Sequence, residues 1–163
     1  MPAELESSLD GIAIIGMAGR FPGAPDIEAF WKVLTEGRET ITTFDRTALP
    51  AEEPAQDADY VPRRGVLEKP EWFDAAFFNI SPREAEAMDP QQRVFLELCW
   101  HALENAGCDP QQFPGAVGVF AGMSNNSWFQ HRVLPDRELR QQVGYENAMI
   151  CNEKDYLATR TAY

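Results

Sequence analysis

Two short, continuous apolar runs constrain this chain more than any other feature. Gly11-Ile-Ala-Ile-Ile-Gly16 and Ala116-Val-Gly-Val-Phe-Ala-Gly122 are apolar at every position and bounded by glycine. Strands with one solvated face alternate apolar and polar residues; uninterrupted runs of this length fit strands covered on both faces, as in a parallel sheet. Helix signals lie between them. Asp26 is placed to cap a helix with Phe30, Trp31 and Leu34 on one side, and Gly37 sits where a left-handed C-cap is wanted. Ser81-Pro-Arg-Glu84 and Asp89-Pro-Gln-Gln92 each combine a capping side chain, proline at the first helical position and Glu or Gln three residues after the cap. The second of these opens a helix over 90–106, with Phe95, Leu98, Cys99, Ala102, Leu103 and Ala106 at helical spacing and Gly107 ending it. Strand, helix, strand, helix in this order predicts an α/β protein.

Three stretches fit less readily. Residues 38–70 lack periodicity, carry Pro50, Pro54, Pro62 and Pro70 among many acids, and are expected to form a long surface excursion. Trp72-Phe-Asp-Ala-Ala-Phe-Phe78 is dense in aromatics and is expected to pack into the core. In the tail, Tyr156, Leu157, Arg160 and Tyr163 suit a last helix.

Charge and composition exclude several classes. The formal net charge is -12, with acids spread along the chain, which argues against nucleic-acid binding and against adhesion to anionic membranes. No apolar run approaches the roughly 18 residues that span a bilayer, and the acidic tail at residues 1–10 has no apolar signal-peptide region. A cytoplasmic location is expected. Cys99, Cys108 and Cys151, an odd count without short spacing, fit reduced thiols better than disulfides or a zinc site.

Chemistry-bearing patterns are sparse. Gly11, Gly16, Gly19 and Gly23 do not match the spacing of a dinucleotide fingerprint, and no phosphate-loop lysine follows, so tight turning explains them better. Gly122-Met-Ser-Asn-Asn126 is close to a nucleophile elbow, but it lacks the final glycine, and His101 and His131 complete no visible triad. A serine hydrolase using Ser124 is therefore the weakest reading. Cys99 falls in an apolar stripe and Cys151 stands near acids that disfavour a thiolate. Arg63, Arg64 and Lys69 read as a solvated basic cluster.

Taken together, these segments resemble the opening of ketosynthase domains in modular type I polyketide synthases. The resemblance is carried by Ile12-Ala-Ile-Ile-Gly-Met-Ala-Gly-Arg-Phe-Pro-Gly23, by Phe30, Trp31, Leu34 and Gly37, and by Phe73-Asp-Ala-Ala-Phe-Phe-Asn-Ile-Ser-Pro-Arg-Glu-Ala85. It continues through Met88-Asp-Pro-Gln-Gln-Arg93, Trp100-His-Ala-Leu-Glu-Asn-Ala-Gly107, Val117-Gly-Val-Phe-Ala-Gly122 and Asp155-Tyr-Leu-Ala-Thr-Arg160. Gly19 and His101 depart from the usual cysteine and glutamate.

The resemblance implies the N-terminal portion of a thiolase-like fold, layered α-β-α-β-α and incomplete as given. In this family a cysteine thiolate takes an acyl chain from the phosphopantetheine arm of an acyl carrier protein. Two histidines then promote decarboxylation of a malonyl-type extender and Claisen condensation. No bound cofactor is implied. The nucleophile follows shortly after the Asp-Tyr-Leu-Ala-Thr-Arg block and the histidines come later, so this chain, ending at Tyr163, is expected to hold none of them and to be inactive alone. Met123, Ser124, Asn125, Asn126, Ala148, Met149 and Asn152 are expected to border the acyl pocket or the contact with a second copy. The remainder of the domain, that second copy and the carrier protein are the implied partners. A truncated or split-module segment with an assembly role is the alternative.

Overall fold

The computed structural model describes residues 11–45 and 59–163. The acidic tail at 1–10 and residues 46–58 of the excursion lie outside the described residues. The elements, in chain order, are α1 (Ile27–Thr35), β1 (Thr42–Thr43), β2 (Arg63–Arg64), α2 (Pro82–Ala87), α3 (Pro90–Ala106), a π-helical turn (Phe129–Val133), α4 (Arg137–Val143), α5 (Tyr145–Ile150), a 3-10 turn (Lys154–Tyr156) and α6 (Leu157–Ala162).

Three helices start on the caps that the sequence supplies. Asp26 accepts from Ala29 N–H at 2.7 Å, Ser81 from Glu84 N–H at 3.2 Å and Asp89 from Gln91 N–H at 2.8 Å. Each satisfies an amide that has no partner within its own helix. Gly107 ends α3 at φ 63, a left-handed conformation that costs a side-chain-bearing residue strain. A fourth cap, Asp136 on Leu139 N–H, opens α4.

The two apolar runs are corrected by the structure. Neither 11–16 nor 116–122 forms a strand; the only ladder among the described residues is the antiparallel pair β1–β2, Thr42 opposite Arg64 and Thr43 opposite Arg63. A parallel strand is held by neighbours on both sides, and these residues supply none. Ile12 is 98% exposed and Phe120 95% exposed. The first run is fixed only at its end. Met17 N–H donates to Asn105 Oδ1 at 2.9 Å, and Gly16 lies directly on the last turns of α3.

The core sits elsewhere, where Ala87 of α2, Phe129 and Val133 of the π-helical turn, Leu139 of α4 and Ala148 of α5 meet, flanked by Trp128, Val143 and Met149. The expected stripe of α3 is only half-buried. The buried residues of α3 are instead Gln92, Arg93 and Val94 near its start, whereas Leu96, Cys99, Trp100 and Leu103 line an open cleft of about 780 Å³. The aromatic segment is likewise corrected from core to partly open cluster. Phe73 stacks on Phe78 at 5.3 Å and Phe77 meets Trp100 edge-on at 4.8 Å, yet Trp72 and Phe77 remain exposed. The basic cluster is partnered at short range: Arg63 pairs with Glu39 at 3.3 Å and Lys69 stands 3.9 Å over the Trp72 ring.

Gly16 gives a direct test of this packing. A Cβ there would stand 2.5 Å from the Ala102 carbonyl oxygen and 2.9 Å from Ala106 N, whereas one at Gly11 would meet nothing within 4 Å. Gly16→Ala is expected to lower stability by about 1–3 kcal/mol in urea denaturation, the usual cost of overpacking. Gly11→Ala is expected to leave the midpoint in place.

Candidate functional site

The three segments that the sequence singles out meet at the N-terminus of α3. Asp89 caps the helix, is almost fully buried, and donates its own backbone N–H to the Cys151 carbonyl at 3.0 Å. Next to it, Gln91 Oε1 accepts from Ser124 N–H at 2.9 Å. Gln92, fully buried, donates through Nε2 to the Glu153 carbonyl at 3.2 Å and to the Ile150 carbonyl at 3.4 Å. Asn126 Nδ2 donates to Glu153 Oε1 at 2.9 Å, closing the circuit. Two stretches far apart in sequence, 123–126 and 148–153, are thus bolted to two adjacent glutamines and to each other.

The caps work differently from the expected boxes. In a capping box the third-position Glu or Gln returns to the cap residue's own N–H. Here both third-position side chains reach toward the C-terminal segment. Gln92 holds 150–153, and Glu84 binds the Arg160 guanidinium of α6 and lies 4.0 Å from Cys151 Sγ. Arg160 also donates to Cys151 Sγ at 3.5 Å. The sequence places Glu84 and Gln92 correctly at these positions; their distant partners leave no local signal.

The expected site residues divide by environment. Ser124 and Asn125 are exposed, and Met123, Asn126 and Met149 are half-buried. Ala148 and Asn152 are fully buried. Asn152 Nδ2 donates to the Ala87 and Ala148 carbonyls, each at 2.7 Å, so it ties α2 to α5. Residues 116–122, which lead into Ser124, form no strand, so the strand-to-helix geometry of a nucleophile elbow is missing there.

Neither Cys99 nor Cys151 is poised as a thiolate. Burial pushes the Cys99 thiol above its ordinary range. Burial does the same to Cys151, helped by Glu84 and opposed by Arg160. No group of three metal-ligating side chains occurs among the described residues. None of their helices is long and apolar enough to cross a membrane.

Asp89 is also a charged group out of water. Desolvation raises its pKa, against the two hydrogen bonds from Gln91 and the charge of Arg93. Its Oδ2 has no partner, and neither do Nε and Nη2 of the buried Arg93. An acid with a raised folded-state pKa holds its proton more tightly when folded. Its charge therefore costs nothing below the ordinary carboxylate range near about 4, and stability falls as pH rises through the raised value. Asp89→Asn removes the charge and keeps an oxygen for the Gln91 N–H. The wild-type-minus-variant difference in unfolding free energy is expected to rise as pH is lowered from neutrality, read in parallel denaturant titrations. A flat difference would contradict the burial argument.

Comparison with known proteins gives the family of the chain. The family model for the beta-ketoacyl synthase N-terminal domain matches residues 9–163. The chain is 40% identical over 164 residues to a phenolphthiocerol/phthiocerol polyketide synthase of Mycobacterium tuberculosis, covering 94% of this chain and 11% of that protein. It is 39% identical over 140 residues to the polyketide synthase PksL of Bacillus subtilis, covering 78% of this chain and 3% of that protein. Among solved structures, ketosynthase twelve of the bacillaene polyketide synthase of Bacillus amyloliquefaciens superposes with a TM-score of 0.75 at 34% identity, over 92% of this chain and 26% of that one. The module 6 ketosynthase of the Bacillus subtilis bacillaene synthase superposes with a TM-score of 0.63 at 35% identity, over 73% and 21%. The chain thus spans a small part of the length of its relatives, and its fold is the N-terminal portion of a thiolase-like α/β fold. It belongs to the β-ketoacyl synthase N-terminal domain family, as a ketosynthase N-terminal domain of the polyketide synthase type.

Proposed function

We propose that this chain serves as the N-terminal part of a cytoplasmic polyketide-synthase ketosynthase that carries out decarboxylative Claisen condensation. A cysteine thiolate takes the acyl group from a carrier-protein thioester and frees the carrier thiol. Loss of CO2 from a malonyl-type extender generates the carbon nucleophile. Its attack on the acyl-cysteine carbonyl forms the new carbon–carbon bond and releases the cysteine. The chain's own share is architectural: Met123, Ser124, Asn125, Asn126, Ala148, Met149 and Asn152 border the acyl pocket or the contact with a second copy.

The observation that carries this reading is the alignment of almost the whole chain with about a quarter of a solved ketosynthase. The exposed apolar residues Ile12, Ile14, Ile15 and Phe120 agree with it, because surfaces of that kind are normally covered by further protein. The remainder of the ketosynthase is the proposed cover, with a second copy and the acyl carrier protein as further partners. Burial that disfavours a thiolate at Cys99 and Cys151 supports a nucleophile other than these two residues.

The test is a condensation assay with acyl and malonyl thioesters of acyl carrier protein. The 163-residue chain is expected to give no β-ketoacyl product, and a ketosynthase that carries it as its N-terminal part is expected to give product. Turnover by the chain alone would overturn the part-domain reading. No turnover by the longer protein would overturn the condensing reading and favour an assembly role.

A further inference from the structure

We infer that Gln91 and Gln92 are positioning residues that set the gap between segments 123–126 and 148–153, and through that gap select the acyl chain length the ketosynthase accepts. This rests on the proposed condensing function and on those two segments bordering the acyl pocket.

The geometry begins with two side chains one residue apart on the first turn of α3. Successive helical residues diverge by about 100° around the axis, so the neighbouring glutamines reach in different directions. Gln91 accepts from Ser124 N–H at 2.9 Å and holds one segment. Gln92 donates to Glu153 and Ile150 carbonyls and holds the other. Both grips are on backbone, so they fix where the chain runs and not merely how one side chain lies. The Asn126–Glu153 bond then spans the two segments directly.

The gripping helix turn is itself fixed. Asp89 N–H is tied to the Cys151 carbonyl at 3.0 Å, and Gln91 Nε2 donates to Asp89 Oδ1 at 3.3 Å. Gln92 and Asn152 are both 0% exposed, which leaves little room for the 148–153 stretch to drift. Without the Gln92 amide the part-buried Ile150 and Glu153 carbonyls lose their donor, and the segment shifts to relieve it. A shift near 1 Å beside a reacting group is enough to change rates strongly. A donor of one chain length would feel it more than another.

The experiment uses a complete ketosynthase carrying this chain and measures its self-acylation by acetyl- and decanoyl-pantetheine thioesters. Gln91→Met and Gln92→Met keep length and remove the hydrogen bonds. Each is expected to change the decanoyl-to-acetyl ratio of kcat/KM by about tenfold, of the order that misplaced pocket contacts produce. Asp26→Ala, which removes the cap of α1, is the control for plain destabilisation; it is expected to lower the melting temperature and keep the ratio. If a methionine variant fails to fold, Asn126→Ala cuts the half-exposed link between the segments and is expected to change the ratio as well. A wild-type protein that accepts neither thioester would refute the condensing function itself. A wild-type protein that accepts them, with the ratio unchanged in the variants, would refute the positioning role alone.

Discussion

Buried polar groups must find partners, and in this chain that requirement is concentrated on one turn of helix. The first turn of α3 buries Asp89, Gln92 and Arg93. An unpaired amide or carboxylate in such a place costs more than a hydrogen bond gains, so the surrounding segments are held where they can answer it. The Cys151 carbonyl answers the Asp89 N–H, and the Ile150 and Glu153 carbonyls answer the Gln92 amide, while Asp89 Oδ2 and Arg93 Nε and Nη2 stay without a partner. The small apolar cluster of α2, α4, α5 and the π-helical turn reaches this turn through Trp128, over whose ring Arg93 lies at 5.4 Å. Apolar burial gathers the helices without direction; the polar turn decides which residue faces which.

The same segment shows what was legible from sequence. Helix starts at Asp26, Ser81 and Asp89 and the end at Gly107 follow from chemistry within a few residues, and all four appear as expected. The last helix was legible too, from the spacing of Leu157 and Arg160, although α4 and α5 were not. Strands are different, because an apolar run becomes a strand only beside a partner. Residues 11–16 and 116–122 have strand composition and no ladder here. The ladder that does form, at Thr42–Thr43 and Arg63–Arg64, lies in a stretch without periodicity, and two residues are too few to show any.

The candidate site was legible in part. Resemblance drew attention to 123–126 and 148–152, and the structure brings these segments together. What joins them was hidden, because Gln91 and Gln92 read as ordinary helix-opening residues and their partners lie 33 to 61 positions away. Nor does the pattern reveal that Ala148 and Asn152 face inward while Ser124 and Asn125 stay at the surface. Burial is a property of the whole packing arrangement, and one sequence carries it only indirectly.

The little ladder of β1 and β2 also bears on how sequences of this kind can diverge. It clamps the two ends of the 38–70 excursion together, reinforced by Phe44 N–H on the Pro62 carbonyl at 2.8 Å. For a flexible loop in general, the entropy of closing its ends grows only with the logarithm of its length, about 0.6 kcal/mol for each doubling. Insertions and deletions between the clamp residues are therefore cheap compared with a change inside the first turn of α3, where one lost amide strands several partners. A change inside the Ser81 to Gln92 spacing has no such latitude, because Ser81 caps one helix and Gln92 grips the C-terminal segment.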